Sequence, residues 1–321
     1  MRKFIVGTDW WTDCDDVIAM KLLARAVTEK KAELLGIGIN ACMQYSVASL
    51  RNYLNSCGVS DVPIGIDRQA VDYGGEPPYQ KRLAEISGGK PDNAVAPDAA
   101  DMYIKILSQS SEMLEIIEIG YPQVLAQVLK REPALFKEKV SEIWMMEGKW
   151  DENPGRENNF ARNSHSAAAG HYLCLNCPVP ITFLGFEAGE SVIVGSKLDR
   201  SDRLYAALAD HGSQNGRNAW DPMLVQMAVI GDEKKAGYKL VRGTAYVDEI
   251  TGKNFFEKSD FSLANMPCRP YNRGQLKKTG GDTRCLLSNM NPRATLPISS
   301  LTAKRRSTRS ILRCSPISMP R

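Results

Sequence analysis

This chain lacks the long apolar run that a membrane-spanning helix needs. Its 321 residues include 43% hydrophobic side chains, yet no stretch approaches a bilayer span, which takes roughly 18 to 20 consecutive apolar residues. The apolar run near the amino terminus meets charge at Asp9, too soon for the secretory h-region of about 7 to 15 residues. We therefore expect a cytoplasmic protein without a membrane partner, long enough to bury one large core.

The chain also lacks clustered cysteines. Its eight cysteines are spread over the whole length, without the density of a small disulfide scaffold, so we expect reduced thiols. The segment Cys174-Leu-Asn-Cys177 is a lone Cys-x-x-Cys with no second pair at zinc-ribbon spacing. A metal or redox role for this pair is therefore disfavoured.

Acidic residues are nearly absent from the last part of the chain. From Met266 to Arg321, 12 Lys or Arg stand against one acidic residue, Asp282, which leaves 29 basic and 36 acidic residues in the first 265. We assign residues 1–260 to one folded domain and 261–321 to a basic, disordered or atypical tail. Such a tail can bind nucleic acid by counterion release. We prefer an unstructured appendage, because the body of the chain is acidic.

Acidic residues are instead concentrated near the amino terminus. Asp9, Asp13, Asp15 and Asp16 fall within eight residues, where the apolar strand Lys3 to Gly7 gives way to a helix. Helix capping explains one or two acidic residues at a helix start. It does not explain Asp9 at the strand end or Asp13 in the turn. Four carboxylates in one cleft repel one another, so we predict a hard divalent cation among them.

Strand-like and helix-like segments alternate along the body. The strands are predicted at 34–39, 114–119, 141–146 and 180–186, and the helices at 45–54, 122–129 and 164–173. This alternation predicts an α/β fold with a mostly parallel central sheet flanked by helices, a Rossmann-like open sheet. Ligands of such sheets bind beyond the carboxyl ends of the strands, which is where the acidic cluster falls.

Other polar groups follow later strands at equivalent positions. Asn40 ends the second strand, Gly120-Tyr-Pro122 ends another, Glu157-Asn-Asn-Phe160 lies in a loop, and Trp220-Asp-Pro222 opens a late helix. Each alone is an ordinary turn, loop or helix-start residue. Together they predict a polar site at one edge of the sheet.

These motifs resemble those of the calcium-dependent, inosine/uridine-preferring nucleoside hydrolase family. Thr8-Asp-Trp-Trp-Thr-Asp-Cys-Asp-Asp-Val-Ile-Ala19 is similar to its amino-terminal aspartate motif, and Gly36-Ile-Gly-Ile-Asn40 to its second strand. Glu157-Asn-Asn159 resembles its Glu-x-Asn motif and Asp221-Pro222 its late Asp-Pro motif. The similarity runs from about residue 3 to about residue 255, so residues 1–260 would form the catalytic domain.

The resemblance implies a role for each matched residue. Ca²⁺ would be held by Asp9, Asp16, Asp221 and the backbone carbonyl of Pro122, a set of oxygen ligands that suits calcium. Ribose would be held at its 2- and 3-hydroxyls by Asp15 and Asn40, and at its 5-hydroxyl by Glu157 and Asn159.

The implied reaction is hydrolysis of the N-glycosidic bond of a ribonucleoside, as in purine or pyrimidine salvage. A calcium-bound water would lose a proton to an aspartate and attack the anomeric carbon, giving free base and ribose. Asp9 is the expected base, with Asp13 as its rival. The motif is two residues longer here than in the common family form, so the choice between them stays open.

The residue that assists the departing base is not evident. Many family members have histidine directly before the late aspartate, whereas this chain has Trp220, whose indole supplies no proton at neutral pH. His211 is a candidate, although a loop histidine is more often simply exposed. Trp10 and Trp11 could instead stack on the nucleobase, and one of these two adjacent residues is expected to lie in the core. Trp10 and Trp220 are the candidate substrate contacts.

Two other functions compete with the hydrolase. Asp13-Cys-Asp15 resembles the Asp-x-Asp of haloacid-dehalogenase-like, magnesium-dependent phosphatases, but it lies too far past the strand. A non-catalytic ribose- or nucleoside-binding homologue is the stronger rival, because of Trp220 and the anomalous tail. The expected partner is a small-molecule nucleoside, its base is open, and a homo-oligomer is compatible with the resemblance.

Overall fold

The computed structural model describes residues 1–71, 74–85, 90–151, 155–258, 285–289 and 310–314. Its strands are β1 (Arg2–Thr8), β2 (Ala32–Ile39), β3 (Ile64–Ile66), β4 (Leu114–Glu118), β5 (Val140–Met145), β6 (Ile181–Leu184), β7 (Ile193–Val194), β8 (Arg217–Asn218), β9 (Leu240–Val247), β10 (Asn254–Lys258), β11 (Cys285–Asn289) and β12 (Ser310–Cys314). Each predicted strand of the body is present, to within two residues at most ends.

Helices connect most of these strands. They are α1 (Asp15–Thr28), α2 (Ser46–Ser56), α3 (Gln80–Glu85), α4 (Ala99–Gln109), α5 (Gln123–Arg131), α6 (Pro133–Lys139), α7 (Asn158–Ala161), α8 (Ser164–Asn176), α9 (Phe186–Gly189), α10 (Arg203–Asp210) and α11 (Trp220–Ile230). Side-chain caps fix several helix starts. Asp98, Asn163 and Asp202, for example, accept backbone N–H bonds at the starts of α4, α8 and α10.

Six strands form a wholly parallel sheet in the order β6-β5-β4-β1-β2-β3. This confirms the predicted α/β fold with its parallel central sheet. Beyond β6 the sheet continues through β12, β11, β9 and β10, and β12 runs antiparallel to β6. β7 and β8 form a separate two-stranded antiparallel sheet.

The apolar core lies on both faces of the parallel sheet. Phe4 and Val6 of β1 pack into one cluster with α1, α10 and α11, while Ile5 packs into another with α4, α5 and α8. This separation follows from the strand period of two, which sends successive side chains to opposite faces. Burying each such side chain stabilises the fold by about 1.5–3 kcal/mol relative to exposure.

Two short strands fall within the predicted tail, 261–321. The backbone of β11 pairs with β12 and β9, and β12 pairs with β6. The rest of the tail lies outside the described residues, so its predicted disorder stays a prediction. In the described ranges no helix is both long and apolar enough to cross a bilayer.

Candidate functional site

A cavity of about 320 Å³ opens at the carboxyl edge of the parallel sheet. Its described lining includes six acidic residues, Asp9, Asp13, Asp15, Asp16, Glu157 and Asp221, and two arginines, Arg162 and Arg217. Its volume is in the range of ligand cavities, which span about 300–1,000 Å³. The sequence-predicted acidic residues therefore meet in one place, although more than 200 residues separate Asp16 from Asp221.

The turn between β1 and α1 presents the early acidic residues to this cavity. Thr8, the last residue of β1, donates its hydroxyl to Asp16, and the Trp10 backbone N–H lies 3.4 Å from the same Asp16 oxygen. The Trp11 N–H donates to Asp9 Oδ1 over 3.3 Å. These bonds fix Asp9 in the turn and Asp16 in the first turn of α1, where the helix dipole favours negative charge.

Trp10 takes the opposite direction from Trp11. The Trp10 backbone has a φ of 46°, a left-handed conformation that costs a bulky residue about 1–2 kcal/mol. Its side chain is fully buried, donates to Ser49 Oγ over 2.8 Å and packs edge-on against Tyr79. The predicted stacking of Trp10 on a nucleobase is therefore wrong. Trp11 lines the cavity instead.

Helix α11 delivers the late aspartate. Asp221 lies in its first turn and is buried, and its backbone N–H donates to Asp15 Oδ2 over 3.2 Å. The apolar residues of α1 and α11 belong to the same core cluster, which holds the two helices side by side. The packing of α1 against α11 therefore brings Asp221 next to the aspartates of the amino-terminal cluster.

Mutual repulsion and burial shape the acid–base behaviour of the cluster. Burial first, then neighbouring carboxylates, raise the pKa values of Asp9, Asp15 and Asp221 well above their usual range. Burial also raises the pKa of Asp16 to about 7, against the hydrogen bond from Thr8. These shifts mean that the protein alone does not compensate the charge of the cluster, so a cation would be stabilising there.

Asp13 differs from the other four aspartates because a guanidinium donates a hydrogen bond to its carboxylate. Its carboxylate accepts from the Arg217 guanidinium and, over 2.6 Å, from the Cys14 backbone N–H. Burial alone would raise the pKa of Asp13, but hydrogen bonding with Asp15 and the positive Arg217 make the net shift downward. A carboxylate stabilised in its charged form is a weak proton acceptor.

Asn40 lies beneath the cavity rather than in its wall. Its side chain is fully buried, donating to Glu118 Oε1 over 2.9 Å and accepting from the Tyr121 N–H over 2.8 Å. Both ends of the amide are therefore used to tie β2 to the end of β4. Asn40 is not among the described lining residues, so its contact with ribose stays a prediction.

Glu157 and Asn159 both line the cavity, at the place predicted from the sequence. Both side chains also form hydrogen bonds within the protein. The Glu157 carboxylate caps α7, accepting from the backbone N–H groups of Asn159 (2.8 Å), Phe160 (3.4 Å) and Gly148 (2.8 Å). A carboxylate has about four acceptor positions, so these backbone groups use most of the capacity of Glu157. The Asn159 amide donates to the Met146 carbonyl over 2.9 Å, which leaves its oxygen for a ligand.

Pro122 does not reach the cavity wall. It is buried before α5, and its carbonyl accepts the first helical bond, from Ala126 over 3.0 Å. Ile119, the residue directly after β4, lines the cavity in its place. Pro122 is thus outside the described cavity lining, and its role as a metal ligand stays a prediction.

An aromatic pair forms another part of the wall. Trp220 stacks on Phe186 with ring centroids 5.2 Å apart, and its indole N–H donates to the Phe186 carbonyl over 2.7 Å. The predicted Trp220 side chain thus does face the cavity. His211 is not among the described lining residues, and its Nδ1 lies 2.8 Å from Ser213 Oγ.

Sequence reasoning missed the two arginines. Arg217 pairs with Asp13 and lies over the Trp220 ring, and Arg162 lies 4.4 Å from the Trp11 ring centroid. Arg217 stands four residues before Asp221, and Arg162 three residues after Asn159. Their nearness to two recognised motifs was the available signal, and nothing in the motifs themselves requires a cation.

Asp9, Asp16 and Asp221 offer carboxylate oxygens to the cavity, and no cysteine or histidine is among its described lining residues. In the described part of the chain, the group of possible metal ligands whose atoms lie within 4.8 Å of one another is instead Asp13, Cys14 and His211. Binding of a hard cation by Asp9, Asp16 and Asp221 therefore stays a prediction. Oxygen-only donors suit calcium or magnesium rather than zinc or copper. One dication would neutralise part of the negative charge of the aspartates that Arg217 does not neutralise.

Neither a protein-family model nor a curated protein sequence matches this chain. Solved structures do: an inosine-guanosine nucleoside hydrolase is 20% identical, with a TM-score of 0.62 over 80% of this chain and 87% of that one. The inosine-uridine preferring nucleoside hydrolase of Bacillus anthracis is 15% identical, with a TM-score of 0.59 over 80% and 91%. The type III effector protein XopQ, solved with adenosine diphosphate ribose, is 15% identical, with a TM-score of 0.53 over 71% and 81%. The chain therefore has the fold of the nucleoside hydrolases.

Proposed function

We propose that this chain hydrolyses the N-glycosidic bond of a ribonucleoside and releases ribose and the free base. The observation that supports this most is the meeting of Asp9, Asp15, Asp16 and Asp221 in one cavity of a nucleoside-hydrolase fold. Fold alone does not define a reaction, because one fold hosts many activities. The acidic cluster supplies the specific chemical argument.

Ca²⁺ is the proposed cofactor, held by the carboxylates of Asp9, Asp16 and Asp221. When bound, the ion would supply positive charge that acidifies the attacking water. Asp9 is the proposed base, because burial and neighbouring carboxylates raise its pKa, whereas the pKa of Asp13 is lowered. Asp15 would then orient the ribose hydroxyls, and Glu157 and Asn159 the far end of the sugar.

The test is a panel of purine and pyrimidine nucleosides assayed for free ribose, with Ca²⁺ and with chelator. We expect turnover with Ca²⁺, a loss of at least about 100-fold in the chelator, and a similar loss in Asp9→Asn. Asp61→Asn is the matched control, because Asp61 is exposed and outside the cavity lining. Unchanged turnover in the chelator would reject calcium, and no ribose from any nucleoside would reject the hydrolase.

A second candidate is a binding protein that keeps the cavity without turnover. The ion pairs of Arg217 with Asp13 and, at 3.7 Å, with Asp15 favour it, because they neutralise part of the cluster within the protein. The XopQ neighbour was solved with adenosine diphosphate ribose. Calcium-dependent binding of a nucleoside or of this ligand by calorimetry, without ribose release, would favour this candidate.

A magnesium-dependent phosphatase is the least supported candidate. Its nucleophile would be Asp13. The carboxylate of Asp13 is already engaged in an ion pair with Arg217, which makes it a poor nucleophile. Cytoplasmic location, a homo-oligomeric state and a role in nucleoside salvage stay predictions.

A further inference from the structure

Arg217 occupies a position that the proposed reaction leaves open. It lies in β8, and its side chain is 19% exposed and lines the cavity. The guanidinium pairs with Asp13, and its Nε lies 3.7 Å from Asp15 Oδ1. A positive charge is therefore held beside the carboxylates that would face the ribose.

The guanidinium is also held in a fixed plane. It lies over the Trp220 ring, 5.2 Å from the centroid, and Trp220 is itself fixed by stacking on Phe186 and by a hydrogen bond to its carbonyl. A Cβ added at Gly189 would collide with the Trp220 ring, which shows how closely that indole is seated. The Arg217 donors are thus oriented before any ligand binds.

The departing base needs a partner that the cavity otherwise lacks. When the glycosidic bond breaks, its electron pair leaves with the base, and negative charge develops on the ring nitrogens and carbonyl oxygens. The described lining contains no histidine, lysine, tyrosine or cysteine. Arg217 and Arg162 are its cations, and Arg162 follows α7, the helix that begins at the proposed sugar contacts.

We infer that Arg217 is the catalytic residue that stabilises the departing base and selects 6-oxopurines, an inference that rests on the proposed function. Arginine does not give up its proton at neutral pH, so it acts here through charge and hydrogen bonding. The water oxygen bonds to C1′ and its proton passes to Asp9, while the C1′–N9 bond breaks. The base leaves as an anion held by Arg217 and takes a proton from solvent after release.

The preference for 6-oxopurines follows from the shape of the guanidinium. Its planar pair of N–H donors matches the adjacent O6 and N7 acceptors of guanine and hypoxanthine. Adenine offers N7 but carries a donor amino group at position 6, so one of the two bonds is lost. We expect inosine and guanosine to be cleaved faster than adenosine.

The experiment compares two substrates that differ in how much their leaving group needs to be stabilised by Arg217. Inosine needs stabilisation of its base, whereas 4-nitrophenyl β-D-ribofuranoside releases a stable anion unaided. We expect Arg217→Gln to lose about 100-fold or more in kcat/KM on inosine and less than about 10-fold on the nitrophenyl riboside. Arg217→Lys should lose much of the preference for inosine over adenosine, because it keeps the charge but not the paired donors.

Two further variants separate catalysis from structure. Arg217→Gln leaves Asp13 without its partner, so the double variant Asp13→Asn with Arg217→Gln removes that unpaired charge as well. The selective loss on inosine should persist in the double variant. Arg200→Gln removes an exposed arginine elsewhere and should behave as wild type on both substrates.

The possible failures are distinguishable. Equal losses on both substrates in Arg217→Gln, or recovery of inosine cleavage in the double variant, would mean that Arg217 only pairs with Asp13 and would overturn the inference. A wild-type protein that cleaves neither substrate would instead reject the proposed function, and the inference with it.

Discussion

Glu118 makes the stability of this protein depend on pH in a direction that can be calculated. It ends β4, is fully buried, and accepts through Oε1 from Asn40 (2.9 Å) and from the Gly120 N–H (3.1 Å). Its other oxygen packs against Gly7 and has no hydrogen-bond partner in the described part of the chain. Burial first, and Asp16 as a minor cause, raise the pKa of Glu118 from 4.5 to about 8.

The sign follows from where the proton is held. Between pH 4.5 and 8 the folded chain keeps a proton on Glu118 that the unfolded chain releases, so stability is lost as pH rises through this window. Each pH unit costs about 1.4 kcal/mol. From pH 5 to pH 7 this loss is about 2.5 kcal/mol, because the unfolded group is already partly ionised at pH 5.

Glu118→Gln keeps the shape and the Oε1 acceptor but cannot ionise. We therefore expect the variant to gain about 2.5 kcal/mol over wild type between pH 5 and pH 7, measured by urea unfolding. A metal chelator is present at every pH, so that no bound cation alters the electrostatic effect of Asp16 on Glu118. Glu138→Gln, an exposed site on α6, is the control. If the difference in unfolding free energy between wild type and Glu118→Gln changes by less than about 0.5 kcal/mol from pH 5 to pH 7, burial does not raise the pKa of Glu118 as argued.

Three other predictions concern the cavity. Trp10→Ala should destabilise the fold by about 3–5 kcal/mol in urea unfolding, because its indole is fully buried, whereas Trp11→Ala should mainly raise KM. Gly189→Ala should raise KM for inosine with the fold retained by circular dichroism, because the new Cβ pushes Trp220 from its seat. Asp221→Asn should weaken calcium binding by calorimetry at least about 10-fold, since it removes a charged ligand.

Each of these has a clear contrary result. Equal destabilisation by Trp10→Ala and Trp11→Ala would contradict their opposite placement, and an unchanged KM in Gly189→Ala would mean that Trp220 does not contact substrate. Calcium affinity unaffected by Asp221→Asn would remove α11 from the proposed metal site.

The parallel sheet and the acidic cluster were accessible from sequence because both are carried by local patterns. Alternating apolar segments predict a parallel sheet, and carboxyl strand ends of such a sheet share one edge. Asp9, Asp15, Asp16 and Asp221 were found in this way, since the resemblance added the late Asp-Pro motif to the early cluster. The cavity brings all four together.

The errors concern the direction of individual side chains. Whether Trp10 or Trp11 faces the cavity depends on one left-handed backbone angle, which no residue type there demands. The hydrogen bond between the Asn40 amide and Glu118, 78 positions away, was not predicted from the sequence. Arg217 escaped notice because its partner Asp13 is 204 positions distant. Contacts of this kind arise from packing rather than from spacing.

The burial of Trp10 has a consequence for how a cation would be received. The Trp10 indole fastens the turn to the hydrophobic interior, so it holds carboxylates that repel one another close together. A cation bound there would reduce that repulsion without having to order the turn first. Heat resistance of the entire domain should accordingly climb with the concentration of the ion.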